Sequence, residues 1–419
     1  MNSNQKNSIV FFFPYHRVSG VPVLFFRFAK ALSKRGNNVM VVDFKNGYMA
    51  RKLDKFKNIK LIKYEKDSAT VLPKNSTVIF QSILPETIPT NLKFHKSNKI
   101  IFWTLYQANF IQTIFPIDAL KNYQYENPKF FKFFSKTVFK NHTNRLVSTI
   151  NLMHRKKALF FMSHDTFDFT SRLLDLNFNI PLLAPVCLND IKSDTKNSEI
   201  INDTINILWI GRLDDFKIHI LNYFIKSLNS SKFLKSYNFN FKIIGDGKHM
   251  FSLPKNKNHN FEIKHYKKID HDELQEFIIE SDLFAGMGTS VLEAARYGVP
   301  SICLDFYYKK INFTYSFNWI FQKKKYDLGA LIQPRQCINN TNELDIRLSE
   351  LINNKENISK ETKLYFKNNH SLDNYISVFE KEINSSTFYY KDFDNKVFEK
   401  SLTRRVYSKI KSIFLEEVW

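Results

Sequence analysis

The chain is 419 residues long and 43% hydrophobic, with 12 prolines and three cysteines; this composition can fill one or two sizeable cores and excludes a disordered or disulfide-stapled protein. Lysine and arginine outnumber aspartate and glutamate by 62 to 40, a formal charge of +22. A coding bias toward Phe, Lys, Asn and Ile accounts for the many lysines but not for the scarce carboxylates, so attraction to phosphate or to anionic lipid stays open.

In chain order, the apolar run at 9–13 predicts a buried strand and the PYHRVSG segment at 14–20 a loop. Val21, Leu24, Phe25, Phe28 and Leu32 then fall at helical spacing, with Arg27, Lys30 and Lys34 opposite and Gly36 placed to end the helix. The run at 39–42 predicts a second strand, and strand, helix, strand at this spacing is a parallel βαβ unit. Runs at 78–80, 100–103 and 159–162 extend the sheet. A polar stretch over 189–203 interrupts the pattern, and the run at 205–210 restarts it. The second half repeats the alternation, with a helix near 219–228, a strand at 241–244 and a helix opened by Asp270 and Glu273 at capping-box spacing. A strand at 283–285, a helix after Ser290 ended by Gly298 and Pro300, and a strand at 301–304 complete it. The economical architecture is α/β, with two doubly wound, Rossmann-like domains facing across a cleft: residues 1–190 and 204–365, followed by a helical segment at 366–419 packing back on the first domain.

Doubly wound sheets bind ligands beyond the carboxyl ends of their strands. Three segments of the second half sit there: GRLDDFK at 211–217, IGDG at 244–247 and GMGTSVLE at 286–293. Gly286, Gly288, Thr289 and Ser290 are small and open a helix, so a phosphate can approach exposed backbone amides. Arg212 offers a diphosphate a planar fork and Lys217 a point charge. Together these residues describe a nucleotide-diphosphate site. Each also has a duller explanation: solvated surface charge for Arg212 and Lys217, capping-box spacing from Ser290 for Glu293, turn geometry for the IGDG glycines, and an incidental loop position for His16.

With these residues in place, the chain resembles the GT-B glycosyltransferases, specifically the large retaining family numbered four. The resemblance rests on GRLDDFK at 211–217, IGDG at 244–247 and TSVLEAARYGVPSI at 289–302, with a looser match of PYHRVSG at 14–20 to the family's first glycine-rich loop. It implies that Arg212 and Lys217 hold the donor diphosphate as the catalytic pair, that Glu293 binds the donor ribose, and that Gly20 lies near the phosphates together with Gly288, Thr289 and Ser290. It further implies retention of anomeric configuration without an essential metal or other cofactor. Two departures bear on the donor sugar. Many relatives carry a second Glu separated from the first by seven residues, and counting back from Glu293 reaches Ala285. The segment WTLYQ at 103–107, where relatives often place a His, has none, leaving His16, with Tyr15, as acceptor-side candidates.

The positive charge is concentrated. Residues 127–164 contain no acid and eight basic residues, and residues 400–415 contain no acid and five. On a helix, Lys132, Lys136 and Lys140 would form one stripe beside Phe130, Phe134 and Val138, a pattern suited to a membrane interface or, equally, to a core stripe with solvated lysines. No zinc-finger, RNA-recognition or helix-turn-helix signature supports nucleic acid as the polyanion. Cys187, Cys303 and Cys337 are odd in number and far apart, as in a reducing compartment, and show no metal-ligand spacing. Residues 1–8 lack the order of a signal peptide, and no apolar run reaches the roughly 20 residues that cross a bilayer. The expectation is a cytoplasmic protein, peripheral on the inner face of the plasma membrane. It would be a retaining, hexosyl-type glycosyltransferase moving a sugar from a nucleotide-diphosphate donor to a growing, lipid-linked bacterial surface glycan such as lipopolysaccharide, capsule or exopolysaccharide. The alternative is a catalytically lapsed GT-B protein acting as a scaffold in glycan assembly, motivated by Ala285.

Overall fold

Short runs of β-branched and aromatic residues, buried on both sides, build two separate parallel sheets. The computed structural model describes residues 8–81, 88–107, 109–110, 127–178, 180–191, 200, 203–213, 215–249, 253–254, 258–267, 269–332 and 343–393. The chain divides into two compact units, Met1–Val186 with Tyr375–Trp419, and Cys187–Asn374.

In the first unit, β1 (Ser8–Phe12) leads through the 13–19 loop into α1 (Gly20–Lys34), and β2 (Val39–Asp43) leads into the short α2 (Tyr48–Lys52). Next come β3 (Ile59–Lys63), β4 (Thr70–Val71), β5 (Ser76–Gln81), β6 (Leu92–Lys93) and β7 (Lys99–Thr104). After them α3 (Pro128–Lys136), α4 (Lys140–Arg155), β8 (Leu159–Phe161), α5 (His164–Leu174) and β9 (Leu182–Leu183) complete this half. The main sheet runs β3-β2-β1-β5-β7-β8-β9, all parallel, while β4 and β6 pair separately. Its core is largely aromatic: Phe11, Phe25, Phe28, Phe80, Phe102, Trp103 and Phe160 are fully buried. Gly36 ends α1 in the left-handed region, φ 80°, where a side chain would be strained.

The second unit holds β10 (Thr204–Ile210), α6 (Asp215–Asn229), β11 (Asn238–Ile244), β12 (Phe261–Tyr266), α7 (His271–Ile279), β13 (Leu283–Gly286), α8 (Thr289–Arg296), β14 (Ser301–Cys303) and the long α9 (Glu343–Asn369). Its sheet runs β12-β11-β10-β13-β14, again all parallel. Strand order therefore reverses between β10 and β13, which makes their carboxyl ends the switch point of a doubly wound sheet. The chain then returns: α10 (Leu372–Ser385) lays Phe379 against Phe28, Trp103 and Phe160, with ring centroids 4.7, 5.1 and 6.3 Å away.

Some local expectations fail. Asp270 occupies the N-cap of α7 but its side chain makes no capping hydrogen bond. The lysine stripe is broken, because α3 stops at Lys136 and Lys140 begins a new helix, α4. Lys132 and Lys136 both bond the Asp175 carboxylate, at 2.6 Å each, and hold its pKa below the usual carboxylate value. Of the α3 phenylalanines it is Phe131 that enters the core. Cys187 and Cys303 are buried, and burial raises the pKa of Cys303 to about 12. Cys337 and the basic stretch at 400–415 lie outside the described residues.

Candidate functional site

Two loops beyond the carboxyl ends of β10 and β11 are locked together by backbone. The Gly211 N–H donates to the Ile244 carbonyl and the Leu213 N–H to the Asp246 carbonyl, both at 3.0 Å. A Cβ on Gly245 would overlap the Gly211 carbonyl oxygen, and one on Gly247 the Leu213 carbonyl oxygen. The IGDG glycines therefore serve close backbone approach, and through it they fix where GRLDDFK leaves the sheet. Leu213 is fully buried and anchors that loop, while Arg212 is exposed.

Gly211 itself is different. A Cβ there would stand 3.6 Å from the Lys217 Nζ and 3.5 Å from the Trp209 Nε1, ordinary contact distances. Lys217 reaches this point from the first turn of α6. Trp209, two residues before Gly211, is fully buried, and its indole N–H has no hydrogen-bond partner. Two nitrogen donors thus bracket the bare face of Gly211 at the carboxyl edge. Trp209 was not singled out from the sequence because a Trp in an apolar strand reads as core; the available signal was its position two residues before the glycine, on the same face of the strand.

The neighbouring strand end supplies a helix N-terminus. Gly288 is the N-cap of α8, with φ 66° and no atom within 4 Å of where a Cβ would be, so the turn needs glycine for its backbone and presents an open face. No side chain caps this helix and its first turn carries no acid, which leaves its positive end to an anion. Thr289 is exposed at that end, and the Ser290 hydroxyl donates to the Met287 carbonyl at 3.0 Å. Ser290 is the second residue inside the helix, so the capping-box explanation for Glu293 fails. Glu293 instead pairs with Arg296 at 2.7 Å, one turn along, with a quarter of its side chain exposed. Ala285 lies inside β13, fully buried and paired with Ile302.

The Gly288 turn is held from behind. Its N–H donates to the Leu328 carbonyl at 2.6 Å, and Gly329, φ 111°, packs where a Cβ would crowd Met287 and the Leu304 carbonyl. The 304–332 segment that provides these groups is pinned by Asp305. Its carboxylate accepts from Lys323 at 2.6 Å, the Tyr315 hydroxyl at 3.0 Å and the Ala330 N–H at 2.7 Å. Burial opposes the charge on Lys323 more than any single neighbour favours it, but Asp305, Cys303 and Asp327 together outweigh burial and raise the lysine pKa.

The structure brings Arg212, Lys217, Gly288, Thr289, Ser290 and Glu293 to one region of the second sheet. Tyr15, His16 and Gly20 belong to the first unit, beyond the carboxyl end of β1. There Asp43, missed in the sequence, organises the loop: its buried carboxylate accepts the backbone N–H groups of Tyr15, Phe44, Met49 and Ala50 at 2.8 to 3.2 Å. Tyr15 and His16 carbonyls accept from the Tyr48 N–H and Arg51, and the His16 ring stacks on Phe44 at 4.4 Å. An acid ending an apolar strand was the signal for Asp43. After β7, the Gln107 side-chain amide donates to Asp165, and its buried Oε1 has no hydrogen-bond partner. Among the described residues no three His, Cys, Asp or Glu side chains gather as a metal site would require.

No protein-family model matches the chain, and no curated protein matches it. Solved structures do. A glycosyltransferase from Rickettsia africae aligns with TM-score 0.53 and 14% identity over 91% of this chain and 99% of its own. Anabaena HepE, solved in complex with UDP and glucose, aligns with TM-score 0.50 and 10% identity over 90% of this chain and all of its own. The N-terminal domain of Candida albicans trehalose-6-phosphate phosphatase aligns with TM-score 0.53 and 11% identity over 93% and 99%. The fold is GT-B. At these identities the likeness carries architecture, and the chemistry has to come from the site.

Proposed function

We propose that this GT-B protein is a retaining, hexosyl-type glycosyltransferase that moves a sugar from a nucleotide-diphosphate donor to a growing, lipid-linked surface glycan. The observation that carries the proposal is the carboxyl edge of the second sheet, where the Lys217 ammonium and the Trp209 indole N–H bracket Gly211 beside the uncapped N-terminus of α8. Positive charge and preorganised N–H groups there suit a departing diphosphate, whose negative charge grows as the bond to the sugar breaks. HepE's complex with UDP and glucose supports the same ligand class.

In this reading the anomeric carbon–oxygen bond to the diphosphate breaks while Lys217, Arg212 and the α8 amides take up the charge. The acceptor hydroxyl attacks from the face the diphosphate leaves, and its proton passes to the departing phosphate oxygen, so no separate base is needed. Glu293, steadied by Arg296, is the residue assigned to accept hydrogen bonds from the donor ribose hydroxyls. Tyr15 and His16 are the acceptor-side groups, on a loop fixed by Asp43.

Calorimetric titration with a panel of nucleotide sugars tests this. At least one should bind and be consumed, and Lys217→Ala or Arg212→Ala should cut turnover about a hundredfold or more while the fold persists. A protein that binds none of them is a scaffold, as Ala285 would suggest, and the proposal then falls.

A further inference from the structure

α3 and the turn after it carry an outward surface unlike that of an ordinary solvated helix. Phe130, Phe133 and Val138 are 42%, 61% and 66% exposed, while Phe131 and Ser135 fill the inner side. The rings of Phe130 and Phe133 both lie against Phe134, with centroids 4.3 and 5.7 Å from it, so the aromatics form one cluster. Around them Lys129, Lys136 and Lys140 are exposed, in a stretch, 127–164, that contains no acid. Asp175 engages Lys132 and Lys136 from the end of α5.

We propose that α3 and the 137–139 turn form an interfacial anchor for an anionic bilayer, with Phe130, Phe133 and Val138 entering the headgroup–acyl boundary and Lys129 and Lys140 meeting lipid phosphates. Aromatic rings gain by leaving water for that boundary, and ammonium groups on flexible stems stay at the phosphate level. No helix among the described residues is long and apolar enough to cross a membrane. The anchor does not depend on the proposed reaction, and its test uses no sugar substrate.

Flotation of the full chain with vesicles of phosphatidylcholine, with and without phosphatidylglycerol, provides that test. Binding should require the anionic lipid and weaken with salt. The pair Phe130→Ser, Phe133→Ser should lower partitioning about tenfold or more, and Lys129→Gln with Lys140→Gln about fivefold per charge. Asp175→Asn, which releases two ammonium groups, should strengthen binding. Equal flotation on neutral and anionic vesicles overturns the proposal, as does wild-type flotation of either pair of variants. The lysine variants alter only exposed groups and remain informative if the phenylalanine pair misfolds. Binding of a single-stranded oligonucleotide without vesicle binding also overturns it, in favour of nucleic acid.

Discussion

Gly211 separates a ligand role from a packing role more sharply than either charged neighbour does. Its Cβ would meet nothing closer than 3.5 Å and its φ is not positive, so Gly211→Ala should change stability by less than about 1 kcal/mol. The added methyl would nonetheless stand between Lys217 and Trp209, where a phosphate oxygen is proposed to bind. We expect donor affinity to fall tenfold or more, read by calorimetry beside a thermal melt; an alanine variant that melts and binds like the wild type removes this part of the site. Arg212, Lys217, Gly288, Ser290 and Glu293 were legible because their spacing from the strand ends places them at the edge where ligands bind. Trp209 and Asp43 were not, since a buried Trp and an acid closing an apolar strand have composition signatures of core and of turn.

Among the elements, helices and strands with continuous apolar patterns were read correctly in kind, whereas the irregular 304–332 segment was not read at all. Asp305 and Lys323 are 18 residues apart in a segment with no periodicity, and nothing in their spacing says that they meet. Yet this pair fixes the segment that backs the Gly288 turn. Lys323→Met should cost about 3–5 kcal/mol, because it leaves a largely buried carboxylate with its charge uncompensated. Equilibrium denaturation measures the loss, and donor binding should weaken with it as the turn loosens. The broken lysine stripe has a similar origin: Thr137 ends α3 with φ −111° and ψ −84°, and no glycine or proline announces that stop.

At the scale of the molecule, the +22 charge that opened several possibilities now has partial addresses. Lys217 and Arg212 serve a proposed diphosphate, Lys132 and Lys136 answer Asp175, and Lys129 and Lys140 remain exposed beside aromatic rings. The aromatic content has an address too, since Phe379 of α10 closes the core of the first unit. Phe379→Ala should destabilise that unit by about 3–5 kcal/mol, seen as a lower denaturant midpoint; a loss below about 1 kcal/mol would mean that α10 merely rests on the surface.

That closing helix also sets an order of events during synthesis. The segment that completes the first unit, from Tyr375 onward, is translated only after the whole of the second unit has emerged. On the ribosome the first sheet must therefore wait, with Phe28, Trp103 and Phe160 short of one partner, while its younger neighbour is already complete. The unit that begins first is thus the last to have all of its residues.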